Sequence, residues 1–162
     1  MGFQTRLNTL EPVETWPTLE QAAWERYWDG LELAAGTGGR DTGSLYLLGY
    51  VVEMVLKVAF FRLRAWPVAQ AVDLSVIRTH AVWRRTSNLH DVEALAQVLI
   101  QERAQRGLPF DPVFAGVLTQ HVRVLASHWK ETLRYCHSTA REDEVAEVFQ
   151  SADWVLANRH QL

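Results

Sequence analysis

The chain carries a single cysteine, Cys136, which excludes an internal disulfide and suits a reducing compartment. Its N-terminus lacks a basic start followed by an apolar run, so no secretory signal is expected and the cytoplasm is the default location. Neither sign of charge dominates: 16 Lys and Arg against 19 Asp and Glu leave a net charge of −3. Nothing global therefore draws nucleic acid, and RNA binding would need a local basic patch. Sustained strand alternation and internal repeats are absent too. The glycine-rich stretch from Gly36 to Gly43 lacks the Gly-Lys-Ser/Thr ending and the preceding strand of a phosphate-binding loop, which removes a nucleotide role for it.

What the chain does have is apolar surface. Hydrophobic residues make up 48% of its 162 positions, enough for one domain with a sizeable core. The stretch Leu45–Phe61 holds only two charges, Glu53 and Lys57. Four residues apart, they share one face of a helix, with Glu N-terminal to Lys in the better orientation for a pair. The remainder is apolar nearly all round, as in a central core helix. Charges at mid-span argue against a membrane crossing.

The other segments read as helices around it. Residues 1–17, with Pro12 and Pro17, form an N-terminal extension, and 18–162 a single helical domain. Thr18 and Gln21 fit a capping box, followed by a stripe of Ala23, Trp24, Tyr27, Trp28 and Leu31. Ala69–Ile77 suggests a short helix. Asn88 suits an N-cap with Asp91 in the first turn, ahead of Val92, Leu95, Ala96, Leu99 and Ile100. Gly107 ends that helix, and Asp111-Pro112 starts the next, whose apolar stripe runs through Val113, Val117, Leu118, Leu125 and Trp129. Thr139 and Glu142 suggest a capping box for the last helix. The expected fold is an all-α, up-and-down bundle of four to five helices.

Three groups of residues together carry a family likeness. Gly49, Glu53 and Lys57 on the central helix, His90-Asp91 opening a later one, and Arg134-Tyr135 ahead of the last resemble the corresponding motifs of HEPN domains (higher eukaryote and prokaryote nucleotide-binding domains), in order over about 40–160. The resemblance implies a helical bundle, a homodimer, and RNA or nucleotide as ligand, with a nucleotidyltransferase as a partner protein. Ribonuclease members of the family place an Arg, four to six residues, then a His at the start of the last core helix. There Arg stabilises phosphoryl charge and His moves the 2′-hydroxyl proton. In this chain His137 follows Arg134 too closely for that pattern, whereas Arg123 and His128 keep the spacing, as does Arg84 or Arg85 with His90. Five positions along a helix turn Arg123 and His128 to different faces.

The favoured expectation is a binding or regulatory HEPN-like protein without the standard pair, needing no cofactor and no metal and engaging no membrane. A metal-independent endoribonuclease using Arg123 or Arg134 with His128 or His137 is the alternative, and a purely structural dimer is another. A His-Asp phosphohydrolase drawing ligands from His80, His90, Asp91 and Asp111 has the wrong spacing. Plainer roles stand beside each site: Glu53–Lys57 as a register-fixing ion pair, His121 and His128 as satisfied core histidines, and Asp91 as a helix-start carboxylate. Arg134 and Tyr135 would either bond loose carbonyls or meet RNA.

Overall fold

The computed structural model describes residues 14–36, 41–83, 88, 90–136 and 140–162. Among these, no strand forms, and six α-helices build the protein: α1 (Trp16–Ala35), α2 (Asp41–Leu63), α3 (Leu74–Arg78), α4 (Val92–Gln105), α5 (Pro112–His128) and α6 (Glu142–Ala157). A 3-10 turn, Glu131–Tyr135, joins α5 to the last connection. The all-α bundle expected from the sequence is what forms.

Helix α2 is the axle. Its buried side chains point in every direction, from Leu45 and Leu48 through Val55 and Leu56 to Phe60 and Phe61, and α1, α4, α6 and the 3-10 turn all pack on it. Among the described residues it is also the one helix long and apolar enough to cross a membrane, and most of that length lies inside the protein.

Side-chain pairs fix the directions. Ser44 donates to the Gly30 carbonyl at 2.7 Å, and Arg62 approaches Glu20 at 3.8 Å, so α1 and α2 are antiparallel. Arg123 near Glu93 sets α5 antiparallel to α4, and His128 with Glu147 sets α6 antiparallel to α5. Simple up-and-down order breaks between α2 and α4. Glu53 meets His90 and Arg64 meets Glu102, so these two helices run the same way. A crossover containing α3 makes that possible.

Several local expectations shift. Helix α1 starts at Trp16, inside the 1–17 extension, because Thr15 rather than Thr18 is its N-cap; the Thr15 N–H donates to Thr18 Oγ1 at 2.9 Å. Pro17 fits the first turn, where its missing N–H leaves no bond unmade. Trp28 is 58% exposed, although its spacing suggested a core face. Val113, placed in the α5 stripe, is exposed as well. The short helix is α3, capped by Asp73, and covers the C-terminal end of Ala69–Ile77. Asp91, not Asn88, caps α4, accepting from the Ala94 N–H at 2.9 Å. Thr139 lies outside the described residues; at the start of α6 the Arg141 N–H donates to Glu144 at 2.9 Å.

Tyr27 on α1 donates to Asp153 on α6 at 2.7 Å. Burial, then the bond to that carboxylate, push its phenol up to about 12. Tyr50 is likewise raised, by burial first and then by the neighbouring Tyr46 and Glu53. A phenol that ionises later in the folded chain than in the unfolded one adds stability below about pH 10, which is lost as pH climbs through the folded value. We expect ultraviolet titration of the folded protein at about pH 11 to leave both phenols neutral. Tyr27→Phe and Tyr50→Phe should therefore leave the absorbance change at that pH intact, whereas a drop in either variant would contradict the shifts.

Candidate functional site

The site begins with a carboxylate that the sequence forces inside. Glu53, at mid-length on the apolar α2, is 2% exposed. An isolated ionised carboxylate there would be prohibitively costly, so it must be paired. Lys57, one turn on, donates from Nζ to Glu53 Oε1. The second oxygen, Oε2, is 2.8 Å from His90 Nδ1. Asn88 shapes the approach, its side-chain oxygen accepting from the His90 N–H at 2.9 Å. Asp91 then turns the chain into α4. The sequence motifs Glu53–Lys57 and His90–Asp91 therefore converge at one place, with Glu53 and His90 37 positions apart along the chain.

The shared carboxylate has a chemical consequence. A carboxylate on Nδ1 favours the tautomer with the proton there and leaves Nε2 as an acceptor. Among the described residues, Nε2 has no hydrogen-bond partner. The ring lines a cleft of about 270 Å³ between the start of α4 and the segment after α5, together with Asn88, Trp129, Lys130, Glu131 and Thr132. Three carboxylates also face this cleft, and each is engaged: Asp91 caps α4, Glu93 pairs with Arg123 at 3.7 Å, and Glu131 accepts from Asn88 at 3.3 Å.

Aromatic rings pack against His90 and Trp129. Tyr50 meets His90 edge-on at 5.8 Å and Trp129 at 5.4 Å. Trp129 is seated against Gly49, where a Cβ would come within 2.0 Å of the indole. Its Nε1–H donates to the Tyr46 carbonyl at 3.0 Å. The 3-10 turn that follows brings Arg134 next to Tyr46 and Tyr50. The phenols of Tyr135 and then Tyr46 raise the guanidinium above its ordinary value. Its Cζ stands 4.8 Å from the Tyr135 ring centre, and Tyr135 itself is 75% exposed.

The other spaced pairs disperse. Arg123 points to Glu93 on α4, while His128 Nε2 bonds Glu147 on α6 at 3.0 Å, so these two do not meet within one chain. His137, Arg84 and Arg85 lie outside the described residues. His121 stacks on Trp154 at 4.7 Å and contacts Ser151, with burial lowering its basicity. The residues of the His-Asp metal reading separate: His80 goes to Glu102 at 3.3 Å, and Asp111 caps α5. Among the described residues, no three His, Cys, Asp or Glu side chains gather as a metal site.

Sequence reasoning missed Trp129, Tyr46 and Tyr50 as parts of the site. A side-chain-free residue, Gly49, amid large apolar neighbours was the one available signal for the indole, but nothing in the sequence pairs it with position 129. Compared with known proteins, the chain matches no family model, no curated protein and no solved structure.

Proposed function

We propose that this chain is an RNA- or nucleotide-binding protein of the HEPN kind that lacks the standard Arg–His pair. The observation that carries this reading is the Arg134–Tyr135 pair, exposed on the 3-10 turn beside the His90 cleft. A ring face for an unstacked base, next to a fixed cation for phosphate, is what single-stranded nucleic acid requires. Lys130, exposed at the cleft, adds a second cation. The dispersal of Arg123 and His128 supports the absence of the standard pair. A homodimer and a nucleotidyltransferase partner belong to the same reading on the strength of the sequence resemblance. The exposed Trp28, on α1 beside an apolar groove formed by Leu31, Val145 and Phe149, supports the dimer.

Fluorescence anisotropy with a mixed-sequence single-stranded RNA tests the reading. Binding should weaken with salt, and Tyr135→Ala should raise Kd by roughly 5- to 100-fold, the effect of losing one stacked base. Arg134→Ala should weaken binding and flatten the salt dependence. Absence of binding at low salt by the folded protein would refute the proposal.

A further inference from the structure

A second cluster of charge lies towards the other end of α4, roughly 15 Å along that helix from the His90 cleft. Glu102, buried there, gathers basic side chains from three parts of the chain. Arg106, one turn on, donates from Nε to Glu102 Oε1 at 2.7 Å. Arg64, just past α2, brings Nη1 to the same oxygen at 3.3 Å. His80, just past α3, places Nε2 3.3 Å from Oε2. The Phe60 ring in the core backs two of these groups, with Arg64 Cζ 5.5 Å from its centre and the His80 ring edge-on at 5.7 Å.

Fastening the helix ends does not use all of this charge. One cation neutralises a buried carboxylate, whereas here two guanidiniums stand against one, even setting the imidazole aside. A positive charge is left over beside a cleft of about 340 Å³, lined by Arg64, Thr79, His80, Gln101, Glu102 and Gln105. Glu102 is the one acidic residue of that lining, and both its oxygens are engaged. Among the described residues, no hydrogen bond holds the remaining side-chain N–H groups of Arg64 and Arg106 or the amides of Gln101 and Gln105. The cleft therefore offers donors that the fold does not consume.

We infer that this cleft binds a small organic acid through its carboxylate, with Arg64 as the recognising cation. A monovalent carboxylate matches the single surplus charge, and its two oxygens match the planar guanidinium fork. Phe60 and Glu102 order that fork before a ligand arrives, which lowers the cost of binding. Gln101 and Gln105, both exposed at the cleft, are left to meet polar atoms in the rest of the molecule. The volume stands at the small end of ligand cavities, about 300–1,000 Å³, and so suits an acid of a few carbons. Single-stranded RNA fits the cleft poorly, because no Phe, Tyr or Trp lines it and one surplus charge is not a track of cations. The site is separate from the Arg134–Tyr135 surface and does not depend on that surface binding RNA.

The test is an NMR titration of the isotope-labelled full chain with sodium acetate at constant ionic strength. The Arg64 Nε–H, the His80 backbone amide and the side-chain amides of Gln101 and Gln105 should shift together and saturate. Their common Kd should be on the order of a millimolar, within what so few ligand atoms can supply. Acetamide, the neutral isostere, should leave these signals where they are. Arg64→Lys keeps a charge beside Glu102 but not the fork, and should raise Kd roughly 10- to 100-fold. Gln105→Glu changes an exposed residue that makes no hydrogen bond among the described ones, so the fold should survive. It sets a competing negative charge at the cleft and should abolish saturable binding. Shifts that grow without saturating, or that survive both substitutions, overturn the inference. Tighter binding of inorganic phosphate or of a mixed-sequence RNA at the same signals also overturns it, because the cleft would then be a phosphate site.

Discussion

Replacing Gly49 with alanine should destabilise the protein by about 3 kcal/mol, although alanine is the better helix former by roughly 1 kcal/mol. The added Cβ would sit 2.0 to 2.2 Å from three atoms of the Trp129 indole, and that ring has nowhere to go. It is buried, its Nε1–H is bonded to the Tyr46 carbonyl at 3.0 Å, and its own N–H is tied to Leu125 at 2.8 Å. Either α2 and the segment after α5 separate, or the indole leaves its seat and gives up its bond. Overpacking of this kind costs about 1–3 kcal/mol and sometimes more, and the lost hydrogen bond adds about 1. For a chain of this size the melting temperature should fall by roughly 6–12 °C. Gly116 on α5 is the control, since nothing stands within 4 Å of the Cβ it would gain. Gly116→Ala should stabilise by about 0.5–1 kcal/mol. Equal melting temperatures for Gly49→Ala and the unmodified chain would show that the indole is not seated as described.

The second large effect concerns the charge inside α2. Glu53→Ala should cost about 3–5 kcal/mol, because it leaves Lys57 as an uncompensated ammonium in the core. The side chain of Lys57 is 11% exposed, and its Nζ donates to Glu53. Removing both charges at once tells a different story. The Glu53→Leu, Lys57→Met double variant should be far less damaged than the sum of the single changes, since hydrophobic replacement of a whole buried pair is often neutral. His90 separates the two roles of Glu53. The double variant should restore stability yet leave the imidazole without its carboxylate. Chemical denaturation of the unmodified chain, Glu53→Leu, Lys57→Met and the double variant gives the coupling energy directly, and additive losses would rule out a shared buried network.

Much of the architecture was legible in the chain. Leu45–Phe61 could only be a central helix, because a segment apolar on all faces needs neighbours on all faces. Gly107 and Asp111-Pro112 marked their helix ends by local backbone chemistry: Gly107 adopts φ +72°, and Asp111 accepts from the Val113 and Phe114 N–H groups. Elsewhere several residues competed for the same local job. Thr15 won the cap of α1 over Thr18 because both hydroxyls suit the position and the register of the whole helix selects between them. Trp28 fits a core stripe by spacing, yet α6 covers Tyr27 through Phe149 and Asp153 and leaves Trp28 outside.

For the site, the sequence by itself determined which groups exist and which pairs are local. Glu53 and Lys57 are bound to meet, since a helix turn brings residues four apart together. The directions of the helices decided the rest. The parallel run of α2 and α4 delivers His90 to the remaining oxygen of Glu53, and the turn after α5 delivers Trp129 to Gly49 and Arg134 to Tyr46. These contacts join positions tens of residues apart, where periodicity carries no information about distance. Only the packing of the helices, driven by burial of their apolar faces, brings them together.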